Sequence, residues 1–128
     1  MECLFCKMWT GKEKEFIYDN SSFTSFFDPN PVRKGHALFA LKRHANSLTE
    51  LTEREEEDFF DILKKTKKTI DMRYHPKGYN IGVNEGAAAG QTIRHLHVHL
   101  IPRYDGDVPN PRGGIRGVIP GKGDYTQK

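Results

Sequence analysis

Apolar and polar positions along this chain change period several times, and each change marks an element. Residues 15–19 and 22–27 are short runs rich in aromatic side chains, with the turn pair Asn20-Ser21 between them, so they predict a β-hairpin. Asp28-Pro29-Asn30-Pro31 ends the second run, because proline removes a ladder donor and restricts the residue before it. Gly35 then precedes a third strand-like run, residues 36–41.

From Thr52 the period lengthens. Thr52 with Glu55 three residues on is a capping-box pair. Phe59, Ile62, Leu63, Thr66 and Ile70 follow at helical spacing and give one mostly apolar face. Acidic residues from Glu53 to Asp58 crowd the start of this helix and Lys64, Lys65, Lys67 and Lys68 its end, which complements the helix dipole. Pro76-Lys77-Gly78 closes the helix, and His75 reads as a surface residue at its end. Period two returns at 79–83 and 93–101, with the small, glycine-bounded loop 84–92 between them. After Pro102 the pattern turns irregular, and residues 108–128 read as a mobile or partner-docked tail. One long helix inserted among successive strands predicts an α+β fold on a mainly antiparallel sheet, in a single domain spanning 1–128.

The last strand carries the candidate chemistry. In His95-Leu96-His97-Val98-His99-Leu100-Ile101 the alternation of a strand puts the three imidazoles on one face and the apolar side chains on the other. Neutral imidazole is a nucleophile, and charged imidazole donates hydrogen bonds to anionic oxygens. His97, flanked by a histidine on each side, is the natural attacker. The loop before it fits an anion: Gly86 and Gly90 allow close backbone approach, and Gln91 and Thr92 offer donors. Metal binding is the rival, since histidines two apart on a strand also chelate zinc.

Composition narrows the partners. The chain has 128 residues, 36% of them hydrophobic, with 8 Phe and 5 Tyr to fill a core; a chain this short gains from oligomerisation. A net charge of +3 from 20 basic and 17 acidic residues is too balanced for a nucleic-acid coat and leaves room for a small polyanionic substrate. No apolar run reaches membrane-spanning length and the first residues do not read as a secretory signal, so a cytoplasmic location is expected. In that reducing compartment Cys3 and Cys6 read as metal ligands or plain thiols rather than a structural disulfide.

The stretch Gly90-Gln91-Thr92-Ile93-Arg94-His95-Leu96-His97-Val98-His99-Leu100-Ile101-Pro102-Arg103 resembles the signature of the histidine-triad (HIT) family, and the resemblance runs from Cys3 to about Asp107. It implies a roughly five-stranded antiparallel sheet with one long and one short helix, paired as a two-fold dimer. It also implies cleavage at the α-phosphate of purine nucleotides: dinucleoside polyphosphates, nucleoside phosphoramidates or adenylates. By resemblance His97 forms a nucleotidyl-imidazole that water then hydrolyses. His99 binds phosphate oxygens, with His95 completing the triad, and Gln91 and Thr92 contact the phosphate or leaving-group bridge. His36 supports the active-site strand, Asp28 grips the ribose hydroxyls, and Asn84 and Gly90 lie on the phosphate or ribose side. Leu4, Phe5, Met8 and Phe27 match apolar positions around the base. The tail is similar to that of microbial dinucleoside polyphosphate hydrolases, in which Arg112 and Arg116 would reach phosphates, across a dimer or within the chain.

A second implication is structural zinc. Several prokaryote-type members and the related galactose-1-phosphate uridylyltransferases hold zinc with the first histidine of the strand, which by resemblance carries over to Cys3, Cys6, His44 and His95. Such a closed shell supports folding and leaves no open position for catalysis. Two other readings stay open: a metal-dependent hydrolase that uses the triad histidines as ligands, and a non-catalytic nucleotide- or partner-binding module. The absence of Asp or Glu in or next to the strand argues against the first.

Overall fold

The computed structural model describes Cys3, Phe5, Cys6 and residues 15–126. Five strands form one antiparallel sheet in the order β1-β2-β3-β5-β4. They are β1 (Tyr18–Asp19), β2 (Phe23–Phe27), β3 (Ala37–Leu41), β4 (Gly78–Gly82) and β5 (His97–Arg103), and helix α1 (Glu53–Tyr74) links β3 to β4.

The hairpin forms where the turn pair predicts. Asn20 Oδ1 accepts from the amides of Ser22 at 3.0 Å and Phe23 at 2.8 Å, and Asn20 Nδ2 donates to the Asp58 carbonyl, pinning the turn to α1. The first strand is shorter than the sequence suggests, pairing only Tyr18 with Ser25 and Asp19 with Thr24. Helix α1 begins with the expected capping box: Thr52 accepts from the Glu55 amide and the Glu55 carboxylate accepts from the Thr52 amide. It ends at exposed His75, which takes the left-handed conformation at φ 52° before Pro76.

The face of α1 bearing Phe59, Ile62, Thr66 and Ile70 buries against one side of the sheet, where Phe23, Phe39, Leu41, Val98 and Leu100 project. Each fully buried residue of this kind contributes roughly 1.5–3 kcal/mol of transfer free energy. With that side filled, the alternate residues of the same strands face away: Phe26, Leu38 and Ala40 form a second cluster with Phe5. In β5 the burial alternates without a break, with Val98, Leu100 and Pro102 buried and His97, His99, Ile101 and Arg103 half-buried.

The last strand also departs from the sequence reading at both ends. The last strand begins at His97, not at Ile93. Residues 93–95 turn instead, with the His95 amide donating to the Ile93 carbonyl at 2.9 Å, and Leu96 pairs outside the ladder with Ala45. The strand also runs on through Pro102 to Arg103; Pro102 lies past the β3 pairing, where no ladder donor is needed from it.

The tail folds on itself and on the edge strand. A 3-10 turn, Gly114–Val118, lies against β4, and Asn110 bonds Asp124 while Arg112 bonds Thr126. No helix among the described residues is long and apolar enough to cross a membrane.

Candidate active site

The sheet face opposite α1 opens into a cleft of about 620 Å³. His97 and His99 form its floor, and Phe5, Phe26, Leu38 and Ile93 form an apolar wall. Asp28, Pro29 and Asn30 close one side, and Asn84, Gly90 and Thr92 another. The sheet register builds this floor: Leu38 pairs with His99 and Ala40 with His97, so side chains that face away from α1 in β3 stand beside the two imidazoles.

The protons of the floor can be assigned from its hydrogen bonds. The backbone carbonyl of His95 accepts from His97 Nδ1 at 2.8 Å, which leaves the lone pair on Nε2. The amide of Val32 donates to His36 Nδ1 at 3.1 Å, so the His36 proton sits on Nε2 and is donated to His99 Nδ1 at 3.0 Å. His99 therefore carries its own proton on Nε2. Asp28 Oδ2 lies 3.5 Å from His36 Nε2, and its other oxygen takes the Asn30 amide at 2.8 Å. Burial lowers the pKa of both relay histidines, His99 to about 4, with the neighbouring His97 and His36 adding to that effect on His99. Both are neutral at physiological pH.

The fold thus brings a carboxylate to the histidines, although none lies in or next to the strand in the sequence. Asp28, His36 and His99 place ligand-type atoms within 4.8 Å of one another. The proton assignments nevertheless speak against a metal there: ligation by His36 Nε2 would move its proton to Nδ1, where the Val32 amide already points.

His95 has a different role from its two neighbours in the motif. It is fully buried, and its Nδ1 lies 3.2 Å from Cys3 Sγ, 3.5 Å from Cys6 Sγ and 3.2 Å from His44 Nδ1. Cys6 Sγ lies 3.3 Å from His44 Nδ1, so the four ligand atoms form one cluster. The other nitrogen of His95 donates to the Leu41 carbonyl at 2.5 Å, which fixes the tautomer with its lone pair toward the thiols. Two thiols and two imidazole nitrogens converging at such spacing fit a zinc shell. The ring of His95 also lies 5.7 Å from that of Phe5, so the cluster adjoins the cleft wall.

The loop before the strand is a closed turn. Gly86 and Gly90 both adopt positive φ, at 90° and 92°, around a 3-10 turn, Ala87–Ala89. Gln91 accepts the Gly86 amide on its carboxamide oxygen at 2.9 Å while its own amide bonds the Gly86 carbonyl. Gln91 does not line the cleft, although Gly90 and Thr92 on either side of it do. Glu85 fastens the loop from outside, accepting from Ser47 Oγ and the Leu48 amide, both at 3.0 Å.

Among the apolar positions, Phe5 lines the cleft, and Leu4 and Met8 lie outside the described residues. Phe27 borders the cleft, but its ring turns to the helix side, 6.3 Å from Tyr74 and beneath Arg73. Its neighbour Phe26 supplies the wall, 6.1 Å from Phe5, and with Leu38 and Ile93 was not singled out from sequence. The signal was available in strand parity: Phe23 and Phe27, four apart, share a face, so Phe26 takes the other. Arg112 and Arg116 do not line the cleft of their own chain; Arg116 donates to the Gly123 carbonyl and stacks on Tyr125.

A histidine pair with defined tautomers, backed by a histidine relay and a Cys/His cluster, defines a histidine-triad site. The HIT domain family matches residues 10–106, and the chain belongs to that family. It is 38% identical over 108 residues to an uncharacterised HIT-like protein of Methanocaldococcus jannaschii, covering 82% of this chain and 81% of that one. It is 34% identical over 116 residues to adenosine 5'-monophosphoramidase hnt1 of Schizosaccharomyces pombe, covering 90% and 80%. The bis(5'-nucleosyl)-tetraphosphatase of the same yeast is 33% identical over 80% of this chain and 56% of its own length. Among solved structures, a HIT family member from Bacillus subtilis aligns with a TM-score of 0.76 at 32% identity, over 84% of this chain and 77% of that one. A zinc-bound histidine triad family protein from Mycobacterium smegmatis aligns at 0.71 and 31% identity, over 82% and 77%.

Proposed function

We propose that the protein is a nucleotide hydrolase or transferase that cleaves at the α-phosphate of a purine nucleotide through a nucleotidyl intermediate on His97. The observation that carries this reading is the tautomer of His97: the carbonyl of His95 holds its Nδ1 proton, so the Nε2 lone pair is the nucleophile. In the first displacement Nε2 forms a bond to the α-phosphorus, and the leaving group departs with the electron pair of the broken bond. In the second, water attacks the same phosphorus and gives up a proton to solvent, the P–N electron pair returns to Nε2 so that the imidazole is neutral again, and a nucleoside monophosphate is released. His99, its Nε2 proton set by the His36 relay, donates to the phosphoryl oxygens as charge builds on them. Asp28 accepts from ribose hydroxyls, the Phe5–Phe26 wall takes the base, and Asn84, Gly90 and Thr92 border the phosphate. Gln91 acts chiefly by closing the loop.

The relatives named as a monophosphoramidase and a tetraphosphatase support attack at a nucleotide phosphorus with either leaving group. The Cys3, Cys6, His44 and His95 cluster would hold a structural zinc, tying the N-terminal segment to the catalytic strand. The same reading takes 1–128 as a single HIT domain with a folded tail, acting as a homodimer in the cytoplasm, where its free thiols stay reduced. Single-turnover hydrolysis of adenosine phosphoramidate and of a dinucleoside tetraphosphate tests the reaction. Release of AMP is expected from at least one of them, and no release from either contradicts it.

A further inference from the structure

The Cys/His cluster and the nucleotide cleft are joined at two places. Phe5 lies between the two thiols in the sequence, so placing Cys3 and Cys6 beside His44 and His95 also sets the Phe5 ring. That ring is buried, 4.9 Å from the His97 ring and 6.1 Å from Phe26, and it forms part of the cleft wall. His95 is the second junction. Its ring faces the thiols, its far nitrogen is anchored on Leu41, and its backbone carbonyl holds the Nδ1 proton of His97. The backbone of His95 belongs to the short turn at residues 93–95 rather than to the ladder of β5, so its carbonyl is held by the ring's anchorage together with the Leu96 amide of the same peptide unit, which donates to the carbonyl of Ala45, the residue after His44, at 2.7 Å.

From these contacts we infer that the cluster is the positioning element of the nucleotide site. A thiol-preferring divalent metal held by Cys3, Cys6, His44 and His95 fixes the Phe5 wall and the His97 tautomer together, so nucleotide affinity follows metal occupancy. This rests on the nucleotide reading above. Without the metal, Cys3 and Cys6 meet the imidazoles only through weak thiol hydrogen bonds, and the packing of the Phe5 ring is left to hold its own position. With it, the segment bearing both thiols, the turn carrying His44 and the entry to β5 become one unit.

The test compares the full chain loaded with Zn²⁺ and stripped by a chelator, with metal content measured and folding checked by circular dichroism. AMP binding is measured by calorimetry, and the His97 tautomer is read from long-range ¹H–¹⁵N spectra of its ring. Stripping is expected to weaken AMP binding about 10–100-fold and to break the single-tautomer pattern of His97, with both restored on reloading. His44→Ala removes the exposed ligand without opening the core and is expected to lower metal and AMP affinity together. Unchanged AMP affinity with an unchanged His97 tautomer in stripped protein overturns the inference, as does a chain that takes up no metal. If stripped protein unfolds, His44→Ala at graded Zn²⁺ concentrations decides: AMP affinity that rises with occupancy supports the coupling and a flat response overturns it. A loaded protein that binds no AMP contradicts the nucleotide reading, and the His97 tautomer then tests the coupling alone.

Discussion

The ring of His36 donates to the ring of His99 at 3.0 Å, and the Val32 amide on the far side of His36 sets the direction of that donation. The relay leaves a proton on the cleft-facing nitrogen of His99 without giving the ring a charge. His36→Ala removes the donor and lets His99 change tautomer, so kcat for phosphoramidate hydrolysis is expected to fall about 10²-fold, the scale of losing one oriented donor. His36→Gln keeps an N–H donor and is expected to recover part of that loss. Equal kcat in both variants and the wild type would remove the relay from the mechanism.

The same burial makes stability depend on pH. His99 titrates at about 4 in the folded chain against an ordinary 6.5, and His36 is also lowered. The neutral rings belong to the native state, so between pH 6.5 and about 4 the unfolded chain binds protons that the folded chain does not. Their contribution is complete above pH 6.5 and is lost as the pH falls. Glu55, held at about 2 by Arg43 and the Thr52 amide, adds its own acid loss only below its ordinary 4.5. The urea midpoint is therefore expected to drop between pH 7 and pH 5, in a window that belongs to the histidines. An unchanged midpoint over that interval would show that they are not buried as neutral rings.

Adjacent phenylalanines are expected to differ in nucleotide affinity, while both truncations cost stability, since Phe26 is buried in the second cluster and Phe27 packs on α1. Phe26→Ala removes part of the cleft wall beside Phe5, and Phe27→Ala removes a ring packed on Tyr74 and Arg73. The first variant is expected to lose AMP affinity by about tenfold, the scale of an aromatic contact worth roughly 0.5–1.5 kcal/mol beyond its buried area. The second is expected to lower the melting temperature with AMP affinity retained. Calorimetry and thermal melts on the pair check this, and the reverse assignment would put the wrong face of β2 on the cleft.

Glu55 joins two stabilising features away from the cleft. Its carboxylate caps α1 through the Thr52 amide and takes Arg43 in a fork at 2.7 and 2.9 Å. Glu55→Ala is expected to cost about 1 kcal/mol, since it removes the hydrogen bond to the Thr52 amide while Thr52 keeps its own capping bond, and the half-exposed arginine adds little. Denaturant curves measure the cost, and turnover is expected to stay at the wild-type level. A loss of turnover at unchanged stability would mean that this corner of the fold communicates with the site.

Local signals explain which of these features the sequence revealed. Thr52 and Glu55 announce the start of α1, Asn20-Ser21 the hairpin turn, and the alternation around His97 the paired floor of the cleft, because each depends on neighbours in the chain. The resemblance supplied the ribose role of Asp28, which spacing alone left as a turn residue, and joined His44 and His95 to Cys3 and Cys6, which spacing left as metal ligands or plain thiols. Start and direction of the last strand were harder to read. Nothing local to Ile93 or Arg94 says that the next residue turns its ring toward thiols some 90 positions away, so the alternation ran four residues too far back. Phe26 was hidden for a related reason: its face depends on which side of β2 the helix covers, and that is settled by tertiary packing. The carboxylate beside the histidines was likewise a contact between β-strand ends, not a sequence neighbour.

The covalent step on His97 is most directly tested by rapid acid-free quenching of the enzyme with adenosine phosphoramidate, followed by intact and peptide mass measurement. An adenylate on the peptide containing His97, absent in His97→Ala although that variant keeps AMP affinity within about tenfold, is the predicted result. Steady turnover with no adduct at any time, or turnover that survives in His97→Ala, would contradict the account.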